Sequence, residues 1–507
     1  MGHAEHVRTV LAKLTTGLYE RDETIRLAFL ASAGGESLFL WGPPGTAKSL
    51  VARRIACAYR DARTFEYLMG RFSTPEEIFG PISIKRLRDS DKYERITEGY
   101  LPDAEIVFLD EIWRAGPPIQ NSLLTALNER LYRNGSTVVH LPIRCIIAAS
   151  NEIPDLDDEA TAFWDRFLVR VRVDPVRDES VFRKMISDTD DPFGDPVPSD
   201  EKIARSQYET WRADAPSIAI PDSVLSILSR IRARLGTGST TVTVSDRRWK
   251  KIVGLLRTSA MLNDRDAVNP LDCFLVRHCV WNRPDEIGFV NSAVEAAIAE
   301  YLSEGRFDAA PLRERLLSLE AAYESETTTI RDTTAVVPVE YRGEYVRVLG
   351  FPGAESALIW KGDFEALDEN GRSTEVFVYD DDAAFVSSST HTVARTDVGE
   401  VAIDGTPYEI DARTETTTVA EKVPPDPDVI ARTRAGAIDI ITECDSVIGE
   451  AGEFMRHGRS DASDHLFVDH RYVDGAFARV ERCAREFASL KIDVEDFLRT
   501  IENAETR

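Results

Sequence analysis

Residues 37–49 read SLFLWGPPGTAKS, an apolar β-prone run that breaks into a Gly/Pro loop and restarts at Lys48 and Ser49 as the helical stretch KSLVARRIACAYR. A strand, loop and helix start in this order turn backbone N–H groups toward one point, where the positive end of the helix dipole adds to them. That is a layout for holding phosphate. Gly42, Pro43, Pro44, Gly45, Thr46, Ala47, Lys48, Ser49 and Leu50 would surround the phosphate chain. Lys48 would supply charge near the β and γ oxygens, and the Ser49 hydroxyl could coordinate Mg2+. The usual pattern has Gly directly before the Lys. Here Ala47 stands there, with a narrower choice of backbone angles, and Gly45 is left to provide the close approach.

Working outward, EIVFLDEI (105–112) sets Asp110 and Glu111 at the end of an apolar strand, where a buried parallel sheet aims them at a bound nucleotide. Asp110 would hold Mg2+ through water or Ser49, and Glu111 would orient and polarise the attacking water. A further strand, RCIIAAS (144–150), ends in Asn151, whose amide could bond the γ-phosphate or that water. FWDRFLVRV (163–171) offers Arg166 and Arg170; an arginine reaching a neighbouring subunit's nucleotide neutralises transition-state charge, and Arg166 is favoured over a purely local ion pair. In VSDRRWKK (244–251), Ser245 and Asp246 mark a helix start. Arg247 in the first turn would fold over the chain's own phosphates, with Arg248 as the competing choice.

The same alternation of short β-rich runs (SLFLW, TFEYL, EIVFLD, RCIIAAS, FLVRVRV) with helical stretches fills residues 37–175 and predicts a parallel sheet flanked by helices. An acidic loop, SDTDDPFGDPVPSDE (187–201), separates this α/β core, residues 1–175, from an all-helical subdomain, 176–304. Leu312, Leu316, Leu319 and Tyr323 then form one helical stripe. Residues 331–424 read as a small β-rich domain, with Asn370-Gly371 and Asp404-Gly405 as hairpin turns. After VPPDPD (423–428), stripes at Ala437, Ile441, Cys444, Ile448 and at Val473, Phe477, Val480, Ala484, Phe487 return to helix. The β-rich domain is thus expected to interrupt a helical bundle made of 305–330 and 425–507.

At 507 residues, 43% apolar and 29% charged, the chain has material for about three soluble domains. No apolar run of 18 residues and no secretory layout at the N-terminus point to a cytoplasmic location without a membrane span. The six cysteines lack a C-x-x-C pair and read as packing residues; Cys273, His278 and Cys279 cluster without a fourth ligand. A formal charge of −26 disfavours general nucleic-acid binding, which rests on Lys and Arg. The absence of an N-K-x-D tetrapeptide favours adenine over guanine nucleotides.

Together GPPGTAKS, FLDEIWRA, NSLLTALNERLYRNG, AASNEIP, WDRF and VSDRRWKK resemble the MoxR branch of the AAA+ ATPases over residues 5–300, and within it the RavA (regulatory ATPase variant) group. Ala47 agrees with that branch. The resemblance implies an AAA+ core with an all-α lid, ATP and Mg2+ as cofactors, and a ring-forming homo-oligomer, as a rule a hexamer. Glu111 would be the water activator, Asn151 the first sensor, Arg166 the finger and Arg247 the second sensor. It implies two hairpins, at 80–100 and 130–144, facing the pore or neighbouring subunits. It also implies a chaperone-like remodelling role with a partner carrying a von Willebrand factor A domain, and a β-rich insert that docks another protein. Two other functions fit the motifs: a DNA-stimulated translocase and a scaffold switched by nucleotide.

Overall fold

The computed structural model describes residues 2–153, 158–237, 240–304, 307–352, 356–367, 372–386 and 389–505. They form two compact units, one of residues 1–309 with 443–490 and one of 310–442 with 491–507.

In the first unit the strands are β1 (Leu38–Trp41), β2 (Thr64–Leu68), β3 (Ile106–Asp110), β4 (Leu131–Asn134), β5 (Thr137–His140), β6 (Cys145–Ser150) and β7 (Val169–Arg172). β4 and β5 make a separate hairpin, and the other five form one parallel sheet in the order β2-β3-β6-β1-β7. Each of these five is a run picked out by its sequence. Every residue of β6 is buried, as a strand with helices on both of its faces requires. Because the strands are parallel, β1, β3 and β6 all release their following loops at the same edge. That edge therefore collects residues 42–49, Glu111 and Asn151.

Of the two expected hairpins, one forms. β4 and β5 pair from Leu131↔His140 to Asn134↔Thr137 around Gly135-Ser136, with Gly135 at φ +62. The 80–100 segment is instead a short helix, Ile84–Ser90, closed by one antiparallel bridge, Ile82↔Arg95. The Ser83 hydroxyl caps the Arg86 N–H, and KRLR after it favours helix over strand. The segments are tied together: Asn134 accepts from the Arg95 N–H at 2.7 Å and donates to the Arg95 carbonyl at 3.1 Å.

The lid follows as helices Glu179–Ser187, Arg205–Asp214, Asp222–Leu235, Asp246–Leu262 and Ile287–Ser303, and residues 188–201 between the first two carry no helix or strand. The two long helices Pro427–Asp464 and His470–Glu505 are each divided between the two units. Their stretch 443–490 belongs to the first unit, whereas the sequence joined all of 425–507 to 305–330. Periodicity reveals an apolar stripe but not what covers it. One cause is visible at the turn between the helices. His465 Nδ1 accepts the Phe467 and Val468 N–H groups, both at 3.1 Å, so Nε2 carries the proton and donates to buried Asp272 at 3.0 Å. Arg265, the Ser259 hydroxyl and the Asn269 N–H complete the bonding of Asp272 at 2.8, 2.7 and 2.9 Å.

The second unit begins with helix Ala310–Thr327, on which Leu312 and Leu316 are buried. β8 (Thr328–Pro338) then pairs with β17 (Ala412–Lys422) over eleven residues as a two-stranded ribbon, nearly all of it exposed. Between them lie β9 (Glu340–Tyr341), β10 (Tyr345–Leu349), β11 (Ser356–Trp360), β12 (Thr374–Val376), β13 (Val378–Tyr379), β14 (His391–Asp397), β15 (Glu400–Ile403) and β16 (Thr406–Glu409). They form sheets β13-β11-β10-β9 and β12-β14-β15-β16 around a core that includes Val348, Ile359, Val393 and Val401. Asp404-Gly405 is a two-residue turn with both φ positive, as Asp-Gly favours. The Asn370-Gly371 turn read from the sequence lies outside the described residues.

Candidate functional site

The loop after β1 is shaped by two left-handed residues, Gly45 at φ +78 and Ala47 at φ +66. Ala47 is the position before helix Lys48–Cys57, so the residue that broke the usual pattern does adopt the conformation the pattern's glycine serves. Gly42 is fixed by space rather than by angle, since a Cβ there would stand 2.0 Å from the Val173 carbonyl. Pro43, Pro44 and Gly45 are exposed, Thr46 bonds back to the Pro43 carbonyl at 2.9 Å, and Ser49 and Leu50 are half-buried in the first helical turn.

Lys48 is buried, and its ammonium is the hub of the site. It donates to the carbonyls of Gly42 and Pro43 and to Asn151 Oδ1, each at 2.8 Å. The Asn151 amide donates in turn to Glu111 Oε1, and the Glu111 N–H bonds Asp110 Oδ1 at 3.0 Å. Burial lowers the Lys48 pKa, and the carboxylates of Asp110 and Glu111 offset part of that. Three separate strand ends thus meet in one hydrogen-bonded chain. Glu111 sits at φ +50, a left-handed backbone that a non-glycine residue holds at a cost of about 1–2 kcal/mol. Among the described residues no group of three or more His, Cys, Asp or Glu could cage a metal. Ser49 and Asp110 instead suit Mg2+, which is usually held by one or two protein oxygens with water and phosphate supplying the rest.

A cavity of about 520 Å³ opens beside the loop, lined by Pro44 to Ala47 and Leu50 together with Leu18, Tyr19, Val176, Phe182 and Met185. Its apolar walls suit a planar base. Arg21, which no sequence signal marked, lines the same cavity and braces the loop, donating to the Thr46 carbonyl at 3.1 Å and to the Asp174 carbonyl at 2.7 Å.

The arginines separate cleanly. Arg170 is fully buried, bonded to the Trp164 and Trp281 carbonyls and stacked 4.2 Å from the Trp164 ring, and burial pushes its pKa well down. It is a packing residue and cannot serve as a finger. Arg166 lies 3.7 Å from Asp165, and its buried Nε has no hydrogen-bond partner. Arg248 is buried against the Phe167 carbonyl. Arg247, expected over the chain's own phosphates, is bonded to Asp165 at 2.5 Å and Asn128 at 3.2 Å. It lines a cavity that shares no residue with the one beside the loop. Asp165 is the cause, since it faces Arg166, Arg247 and Arg248 at once. Its place in WDRF was the available signal, read there only for the arginine.

A phosphate loop, an acidic strand end and a polar strand end on one edge of a parallel sheet, followed by a helical lid, define the AAA+ class. Residues 5–189 match the family described as the MoxR domain of MoxR-vWA-beta-propeller ternary systems, and residues 223–294 match an AAA lid domain. Two uncharacterized proteins of Methanocaldococcus jannaschii are similar. One is 37% identical over 274 residues, covering 54% of this chain and 71% of its own length; the other is 35% identical over 282, covering 56% and 72%. A structural protein of Acidianus two-tailed virus is 27% identical over 163 residues, 32% of this chain and 26% of that one. The chain belongs to the MoxR-type AAA+ ATPases. None of its described helices is long and apolar enough to cross a membrane.

Proposed function

We propose that the chain hydrolyses ATP, with Mg2+, as one subunit of a homo-oligomeric ring of six. The observation that carries this is the chain Lys48–Asn151–Glu111, which fixes a carboxylate beside the ammonium that would meet the γ-phosphate. Glu111 orients the attacking water and takes its proton as the water oxygen bonds the γ-phosphorus and the bond to the β-phosphate oxygen breaks. Lys48 and the loop N–H groups stabilise charge on the transferring oxygens. Ser49 and Asp110 would hold Mg2+, which would supply positive charge against the phosphate oxygens. The unpartnered Nε of Arg166 and the shared Asp165 support a paired role in which Arg166 and Arg247 together face a neighbour's nucleotide.

The matched family description supports a von Willebrand factor A domain protein as partner, and a chaperone-like remodelling role with it. The β-rich insert, in a RavA-like arrangement, is the docking module for another protein. Glu111→Gln tests the core of this reading. ATP binding should persist while steady-state hydrolysis falls by about 10²–10⁴-fold, and an unchanged rate would overturn the mechanism. With ATP, this variant should also retain the A-domain partner on affinity purification; release of DNA alone would point to a translocase.

A further inference from the structure

We propose that the outer face of sheet β13-β11-β10-β9 is a docking site for a basic, Lys/Arg-bearing segment of a partner protein. The inference rests on the insert being a docking module and names the face and the chemistry it takes.

Cross-strand register decides which side chains share this face. Val346 pairs with Ile359 and Val348 with Ala357, and all four lie in the domain core. The residues between them, Tyr345 opposite Trp360 and Arg347 opposite Leu358, point the other way, and Tyr379 stands opposite Leu358. On that outer face the aromatic rings run on without a break. Tyr345 meets Tyr379 at 5.4 Å, Tyr379 meets Phe385 at 5.0 Å and Phe385 meets Phe377 at 4.9 Å. Leu358 is wholly buried, although it points away from the core. Trp360, Phe377 and Phe385 remain 48%, 39% and 59% exposed, so this is an open aromatic surface rather than a second core.

The surface is built to stay in place. Asp380 accepts the Asp382 and Ala384 N–H groups at 3.0 and 2.9 Å, and the Val386 N–H bonds Val378 at 3.0 Å, which holds Phe385 beside Tyr379. Trp360 folds over Gly362, where a Cβ would stand 2.5 Å from the ring.

Charge chooses the occupant. Residues 340–411 contain sixteen Asp and Glu against five Lys and Arg. On this face Arg347 is already stacked on Tyr341 at 3.9 Å and lies 3.7 Å from Asp381, and Lys361 is paired with Glu340 at 2.5 Å. Asp363 acts on Tyr379, where burial first, then Tyr345 and then this charge raise the phenol pKa, and Asp382 is exposed three residues before Phe385. Aromatic faces inside an acidic rim suit Lys and Arg side chains, whose stems pack on rings while their cations meet ring faces and carboxylates. A nucleic acid or a second acidic surface is repelled by the same rim.

The full chain can be tested with two synthetic twelve-residue peptides, one alternating Arg and Leu and one alternating Glu and Leu. The Arg peptide should bind, with Kd rising at least tenfold in Phe385→Ser, a few-fold in Asp382→Lys, and with added salt. Thermal unfolding of the variants should match the parent, since neither side chain is in the core. Equal affinity of parent and Phe385→Ser, or equal binding of the Glu peptide, overturns the proposal. A further arm separates it from the docking reading: a partner retained by the Glu111→Gln chain and lost on removal of 340–411, yet kept by Phe385→Ser, leaves the insert as the dock and sinks this face.

Discussion

The catalytic edge of the first unit and the Thr-rich ribbon of the second are both β-structure, and they differ in what water allows. At the catalytic edge the strands are covered on both sides, so every polar group must find a partner inside, and Lys48, Asn151, Glu111 and Asp110 find one another. In the ribbon, water satisfies whatever the chain does not. β-branched threonines keep the strands extended, and pairs such as Arg331–Glu421 at 3.2 Å keep its edges charged. Side-chain identity should therefore matter greatly in one place and little in the other.

The sharpest test of that contrast is at Arg166, one of several arginines whose buried Nε lacks a partner. If its partner is a neighbour's nucleotide, Arg166→Ala should lower turnover by about 10³–10⁵-fold while leaving ATP binding unchanged. Mixing it with Lys48→Ala, itself inactive, should restore part of the rate, because a Lys48→Ala subunit lends its finger to an Arg166→Ala site. Steady-state hydrolysis against mixing ratio reads this directly, and no recovery at any ratio would place Arg166 in its own subunit's site.

Next in size is Asp272, where satisfaction is complete. Burial alone would raise its pKa, but the His465 hydrogen bond and the Arg265 guanidinium overcome this and hold the carboxyl well below its usual range. A carboxyl with a depressed folded pKa adds stability above its unfolded pKa, near 4, and loses it as pH falls through the folded value. Asp272→Asn strands Arg265 and should cost about 3–5 kcal/mol at neutral pH. The gap to the parent, measured by urea unfolding, should close as the solution is acidified toward the folded pKa.

This contrast also explains what could be read in advance. All five strands of the parallel sheet were legible because burial on both faces leaves continuous apolar runs, and the loop residues were legible because phosphate chemistry restricts their types. Arg21 and Asp165 were not, since each acts through a carbonyl or through other arginines and no spacing marks them. Nor could periodicity tell that 443–490 joins the first unit, or that Arg247 would pair with Asp165. The 80–100 segment misled for the opposite reason. Resemblance supplied a hairpin where local propensity supplied a helix.

A smaller effect is expected at Ala47. Its φ of +66 costs about 1–2 kcal/mol for a residue with a Cβ, but Gly would add freedom to the unfolded chain worth about 0.4–1 kcal/mol. Ala47→Gly should therefore raise the unfolding midpoint only slightly and leave hydrolysis within about threefold, given that the loop conformation is already formed. A large loss of turnover would mean the Ala47 methyl contacts something the phosphate loop needs.

The smallest effect belongs to the ribbon. Thr334 and Thr416 face each other across β8 and β17, both exposed, whereas Ile147 on β6 is wholly buried. Thr334→Lys should change stability by no more than about 0.5 kcal/mol, measured on the unassembled chain, while Ile147→Lys should prevent folding by forcing a charge into the sheet. The informative version repeats Thr334→Lys on the ATP-bound assembly. If the ribbon stays in water there, the substitution stays silent; a loss of assembly or of partner would show that the ribbon is covered in the working complex, and that its threonines are constrained by a surface beyond this chain.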